Sequence, residues 1–150
     1  MVPLDGSEHS ERALTTSIQI AKKFRGTITL VHVYSVTAAP MIIPEPATLT
    51  PGGVPVVTSA EVSKMIEAAR ESGNKILKEG EQKAKSAGVK VETALKEGNT
   101  VQEIVKAAKE GQSDLIVIGA RGIGKIREFL MGSVSEGVIR HASCPVLVVK

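Results

Sequence analysis

Leu115-Ile116-Val117-Ile118-Gly119-Ala120-Arg121-Gly122 begins with four aliphatic residues in a row and ends among glycines, and Gly132-Ser133 further on opens a helical pattern. Aliphatic residues without polar alternation mark a parallel strand covered on both faces. Four other runs are strand-like: Met1 to Leu4, Thr27 to Tyr34, Val89 to Leu95 and Pro145 to Val149. Helical spacing fills the gaps. Ala13, Leu14, Ile18, Ala21 and Phe24 share one face of a helix that starts near Ser7 and ends at Gly26 in a left-handed cap. Val62, Met65, Ile66, Ala69, Ile76, Leu77 and Ala84 define a longer helix from Ser59 to Ala87, closed by Gly88; Gly73 and Gly80 interrupt it. Thr100 with Glu103, and Ser133 with Glu136, each spell a capping box, starting helices that run to Gly111 and to about His141. The order βαβαβαβαβ needs crossover connections, and right-handed crossovers place helices on both faces of one parallel sheet. The expected fold is a doubly wound, Rossmann-like α/β domain with five parallel strands. Such sheets bind ligands beyond the carboxyl ends of the strands, where the winding reverses. The places to search are Asp5 to Ser7, the loop after Tyr34, and Gly119 to Ser133.

With 150 residues, 42% hydrophobic and 23% charged, the chain has the length and balance of one domain whose core needs neither disulfide nor metal. Its one cysteine, Cys144, has no partner within the chain. Together with the lack of a signal-peptide pattern and of any apolar run near the roughly 20 residues of a membrane span, this points to a reducing cytoplasm. The net charge of +3 is spread along helices and loops, and Phe24, Phe129 and Tyr34 are the only Phe or Tyr rings, with Trp absent. Nucleic acid is therefore not an expected partner, since both the basic patch and the stacking platform are missing. Between Ser35 and Thr58 the rhythm breaks: Pro40, Pro44, Pro46, Pro51 and Pro55, with Gly52 and Gly53, exclude helix and central strand. This insertion, about 35–58, is expected to be a flap, contact arm or mobile segment, and Met41, Ile42 and Ile43 within it favour packing on a partner subunit.

The loop after the fourth strand carries the chemistry. Gly119, Gly122 and Gly124 permit close backbone approach, and a helix N-terminus offers free N–H groups with a partial positive charge. Phosphate suits that combination, especially beside Arg121, Lys125 and Arg127. The bland alternative is that the glycines serve tight turns and Ser133 caps its helix. Three familiar motifs fail here. Gly119 to Lys125 reads G-x-x-x-x-G-K, but Ile126 stands where a Walker loop has its magnesium-binding hydroxyl. The glycines run G-x-x-G-x-G, the reverse of the dinucleotide fingerprint, and follow the fourth strand instead of the first. Around Ser135, a nucleophile elbow would need glycine where Ser133 stands.

One pattern fits without mismatch, G-x2-G-x9-G-[ST], filled by Gly119, Gly122, Gly132 and Ser133. On this motif the chain resembles the ATP-binding branch of the universal stress protein family. Val2-Pro3-Leu4-Asp5-Gly6-Ser7, His32-Val33, Asp114 to Gly119 and Ser143 to Val149 are similar to that family in order and spacing, so the resemblance covers essentially the whole chain. It implies that Asp5 and the Val33 backbone hold adenine, that Gly119 and Gly122 lie against ribose and phosphates, and that Gly132, Ser133 and Ser135 contact the phosphate tail. Pro3, Arg121, Lys125 and Val134 complete the implied site. Each role suits its residue: a carboxylate accepts from an exocyclic amine, and a hydroxyl turns to a phosphate. For Asp5, turn chemistry in D-G-S is an equal alternative. Members of the family usually begin several residues earlier, so the first strand is expected to be short.

Other chemistry is weak. His9, His32 and His141 are far apart, with no Cys/His cluster at zinc-ligand spacing. His32, in an apolar strand, reads as a hydrogen-bonded core histidine, and Cys144 as a small buried residue. No residue announces itself as a water-positioning base, so the expectation is binding without turnover, of ATP or of AMP or ADP, with any Mg2+ held mainly by the phosphates. Slow ATP hydrolysis and a dimeric module that binds no nucleotide are the alternatives. The apolar terminal strand predicts a homodimer joined edge to edge there.

Overall fold

The computed structural model describes residues 1–35, 59–123 and 131–150. The insertion expected at about 35–58 falls, beyond Ser35, outside the described residues. Nine elements alternate in the order anticipated: β1 (Val2–Pro3), α1 (Glu8–Phe24), β2 (Thr27–Tyr34), α2 (Ser59–Ser86), β3 (Lys90–Glu97), α3 (Thr100–Glu110), β4 (Ile116–Gly119), α4 (Ser133–His141) and β5 (Val146–Val149). All strand pairs are parallel, β1 with β2, β2 with β3, and β4 with β5.

The expected uninterrupted five-stranded sheet needs correcting. The ladders divide into β1-β2-β3 and β4-β5. Two bonds bridge the seam, Met1 N donating to Leu115 O at 2.7 Å and Val117 N donating to Met1 O at 2.9 Å. The next bond of a parallel ladder here would come from the N–H of residue 3, and Pro3 has none. Side-chain packing nevertheless crosses the seam. Val2, Leu4, Ile28 and Leu30 share one core with Val117 under α1 and α2. Ile116 and Ile118, on the opposite face of β4, join Ile104, Ala108 and Val138 in a second core under α3 and α4. The alternation along β4 thus places helices on both faces, a doubly wound α/β arrangement whose winding reverses between β1 and β4.

Local details depart from expectation in four places. The left-handed cap of α1 is Arg25 (φ 56°), one residue before Gly26. The cap of α3 is Asn99, whose side chain accepts from Gln102 N at 3.1 Å, so Thr100 is already helical. At α4 the cap is Gly132 with no side-chain bond, and Ser133 is the first helical residue, so the Ser133–Glu136 capping box is absent. Phe24 and Met65, assigned to apolar helix faces, are 75% and 53% exposed. Helix α2, by contrast, runs unbroken through Gly73 and Gly80, both buried. A Cβ on Gly73 would lie 2.5 Å from His32 Cδ2, and one on Gly80 2.7 Å from Leu4 Cδ1. These glycines let the helix approach the sheet. His32 is hydrogen-bonded as expected, its Nδ1 donating to Leu4 O at 2.7 Å, but it is half-buried and not within the core.

Candidate functional site

At the carboxyl edge the loops after β1 and β4 interlock across the switch point. Asp5-Gly6-Ser7 turns through Gly6 at φ +82°, a conformation that favours glycine. Asp5 Oδ1 accepts from Ser7 N at 3.0 Å, so the turn chemistry read from D-G-S is present. Ser7 then caps α1, its Oγ accepting from Ser10 N at 3.2 Å and donating to Arg121 O at 3.4 Å. The two glycines of the β4 loop sit where a side chain would collide. A Cβ on Gly119 would fall 2.7 Å from the His9 carbonyl carbon, and one on Gly122 would strike Asp5 Oδ2.

Gly132 is different. Its backbone (φ −70°, ψ 149°) is one any residue adopts, and an added Cβ would meet nothing closer than Ala120 O at 3.4 Å. It is tied back to the strand end, Gly132 N donating to Ala120 O at 2.9 Å. The buried Ser135 hydroxyl donates to Ala120 O at 3.0 Å and to Gly132 O at 2.8 Å, fixing the start of α4 beside β4. The first N–H groups of α4, those of Ser133, Val134 and Ser135, have no acceptor within their own helix and carry its partial positive charge.

A cavity of about 240 Å³ opens at this edge. Pro3, Asp5, Val33, Gly119, Arg121, Gly122, Gly132, Ser133, Val134 and Ser135 all line it, as the sequence had grouped them. Lys125 lies outside the described residues. Leu4, Ser10, Val31, Thr100, Ile104, Ile118 and Ile123 also line it and were missed. Val31 follows from strand periodicity, two residues before Val33, and Ile118 is the strand residue adjoining Gly119. Thr100 and Ile104 have a fainter trace: in a doubly wound fold, α3 must begin at the same edge as α4, and positions four apart share a helix face.

Chemically the walls are aliphatic on the β2 and α3 side and polar at the start of α4. Among the described lining residues Asp5 is the one carboxylate and Arg121 the one full cation. Aliphatic walls beside a cation and the free N–H groups that start α4 suit a ligand with an apolar body and an anionic tail. Beside it, Tyr34 closes the end of β2 by donating to Glu97 Oε2 at 2.8 Å, a bond that raises the phenol pKa.

The profile of the Universal stress protein family matches residues 1–150. The chain is 37% identical, over its full length and 80% of the relative's, to a universal stress protein of Methanocaldococcus jannaschii. Its fold is similar to that of universal stress protein UspA from Lactobacillus plantarum, at a TM-score of 0.78 and 24% identity, covering 99% of this chain and 94% of the other. It is also similar to a universal stress protein solved in complex with cAMP, at a TM-score of 0.67 and 29% identity, covering 99% and 94%. No helix among the described residues is long and apolar enough to cross a membrane. A family profile spanning every residue, with a close relative along the whole chain, leaves one conclusion: the chain belongs to the universal stress protein family.

Proposed function

We propose that this protein binds an adenine nucleotide, ATP or its mono- or diphosphate, at the carboxyl edge between β1 and β4, and acts as a regulator through nucleotide-dependent shape or partner contacts. The observation that carries this reading is Gly132. An added Cβ would clash at Gly119 and Gly122 but would make only ordinary contacts at Gly132, the N-cap of α4, which lines the cavity. A phosphate lying against that backbone supplies the missing reason. The cavity, smaller than the roughly 300–1,000 Å³ of most small-molecule pockets, suits the nucleoside half, with phosphates at the rim where Ser133 is exposed. In this arrangement Asp5 and the Val33 backbone face the base. Any Mg2+ is held mainly by the phosphates in this reading. The relative solved with cAMP supports an adenine nucleotide as the ligand class. Binding without turnover is part of this reading, with slow hydrolysis the alternative.

The test is mass spectrometry of the denatured protein for co-purified adenine nucleotide, followed by calorimetric titration of stripped protein with ATP, AMP and GTP. Saturable binding of the adenine nucleotides supports the reading; no heat and no bound nucleotide would sink it. Single-turnover assay with labelled ATP, at a rate no faster than buffer, is expected.

In the same reading the protein is a homodimer through β5. Leu147 on this strand and Ile139 on α4 are exposed, 37% and 42%, at an open sheet edge. Val149 packs into the first core, so Leu147→Lys alone is the clean probe. It should shift light-scattering mass toward the monomer.

A further inference from the structure

Five hydroxyl and carboxylate side chains line the cavity besides Arg121, and most already have partners within the protein. Asp5 accepts from Ser7 N, the Ser10 hydroxyl donates to Ser7 O at 2.8 Å, and the Ser135 hydroxyl donates to Ala120 O and Gly132 O. Two remain, Ser133 and Thr100, each lining the cavity with no side-chain hydrogen bond to any described residue. They stand on different helices. Ser133 stands at the start of α4, beside the glycines. Thr100 stands on α3, one helical turn before Ile104, which packs in the same core as Val33 of β2. An unpartnered hydroxyl in an otherwise aliphatic wall leaves a donor and an acceptor available to whatever fills the space.

We infer that Thr100 contacts the nucleoside half of the ligand, its hydroxyl hydrogen-bonding the base or ribose while Ser133 serves the phosphate half. The inference rests on the adenine-nucleotide reading and adds to it a contact on α3. Because Asn99, not Thr100, caps α3, the Thr100 hydroxyl has no role in holding that helix and its removal leaves the cap intact.

The experiment is calorimetry with adenosine, AMP and ATP on wild type, Thr100→Val, Thr100→Ser and Ser133→Ala. Thr100→Val keeps the shape and deletes the hydroxyl. It should weaken all three ligands by the same factor, about fivefold to tenfold for a neutral hydrogen bond. Thr100→Ser should restore most of the loss, and Ser133→Ala should weaken AMP and ATP while leaving adenosine unchanged. Wild-type binding that Thr100→Val leaves intact, or weakens for ATP but not for adenosine, overturns the Thr100 contact and spares the nucleotide reading. Wild type that binds none of the three overturns the nucleotide reading and this contact with it.

Discussion

The end of β4 and the start of α4 both carry glycine, for opposite reasons. At Gly119 and Gly122 the neighbours are protein: the His9 backbone and the Asp5 carboxylate occupy the space a side chain would need. At Gly132 the backbone is ordinary and an added Cβ would make only normal van der Waals contacts, the nearest with Ala120 O at 3.4 Å. A glycine motif read as one unit is therefore two structures, a packing device that locks the β4 loop onto α1 and the β1 loop, and a bare surface at a helix N-terminus. Glycines forced by contact say little about ligands; a glycine the fold does not need points to one.

Substitutions can break this contrast. Gly119→Ala drives a methyl into the α1 backbone, which cannot rotate away, so stability should fall by about 3 kcal/mol, the upper end of overpacking costs, in urea unfolding. Gly122→Ala meets a carboxylate that can swing aside, at a cost of about 1 kcal/mol together with displacement of Asp5 from the cavity. Gly132→Ala meets no clash and loses only the N-cap preference for glycine over alanine, so it should cost no more than about 1 kcal/mol. The two helix starts sharpen the same point. Asn99→Ala removes an observed cap and should cost about 1 kcal/mol, whereas Ser133→Ala removes none and should be near neutral in the absence of ligand.

The smallest effect lies on the neighbouring strand end. Tyr34 is the chain's one tyrosine, so ultraviolet titration reads it alone. Its phenol, donating to Glu97, should titrate above the ordinary phenol range, and Glu97→Gln should bring the midpoint down. Because the folded pKa is raised, the bond's contribution is complete below the unfolded value and disappears as pH rises through the folded one.

Much of this was legible in the sequence because it rests on short-range rules. The β-branched, mostly apolar run Thr27 to Tyr34 and the aliphatic run Leu115 to Ile118 point to parallel strands, and glycine spacing points to the loop. What escaped depends on three-dimensional neighbours. Ser133 looks like a cap, yet the chain enters α4 one residue earlier, and a Ser-x-x-Glu spacing does not fix where helical dihedrals begin. Pro3 was read as part of the site, while its missing N–H also interrupts the ladder to β4. Thr100 was read as a cap because its place on the cavity wall depends on the packing of α3 against β2. Gly73 and Gly80 looked like weak points in α2 until their contacts with His32 and Leu4 showed why glycine stands there.

The central claim is that Gly132 is glycine for the sake of a nucleotide phosphate. Calorimetry of ATP binding to wild type and to Gly132→Val, with unfolding curves for both, tests it most directly. The predicted result is a folded variant, destabilised by no more than about 1 kcal/mol through the lost glycine cap, whose ATP affinity falls at least about tenfold, about 1.4 kcal/mol, because the isopropyl group occupies the phosphate's place. A folded Gly132→Val protein that binds ATP as tightly as wild type would contradict it.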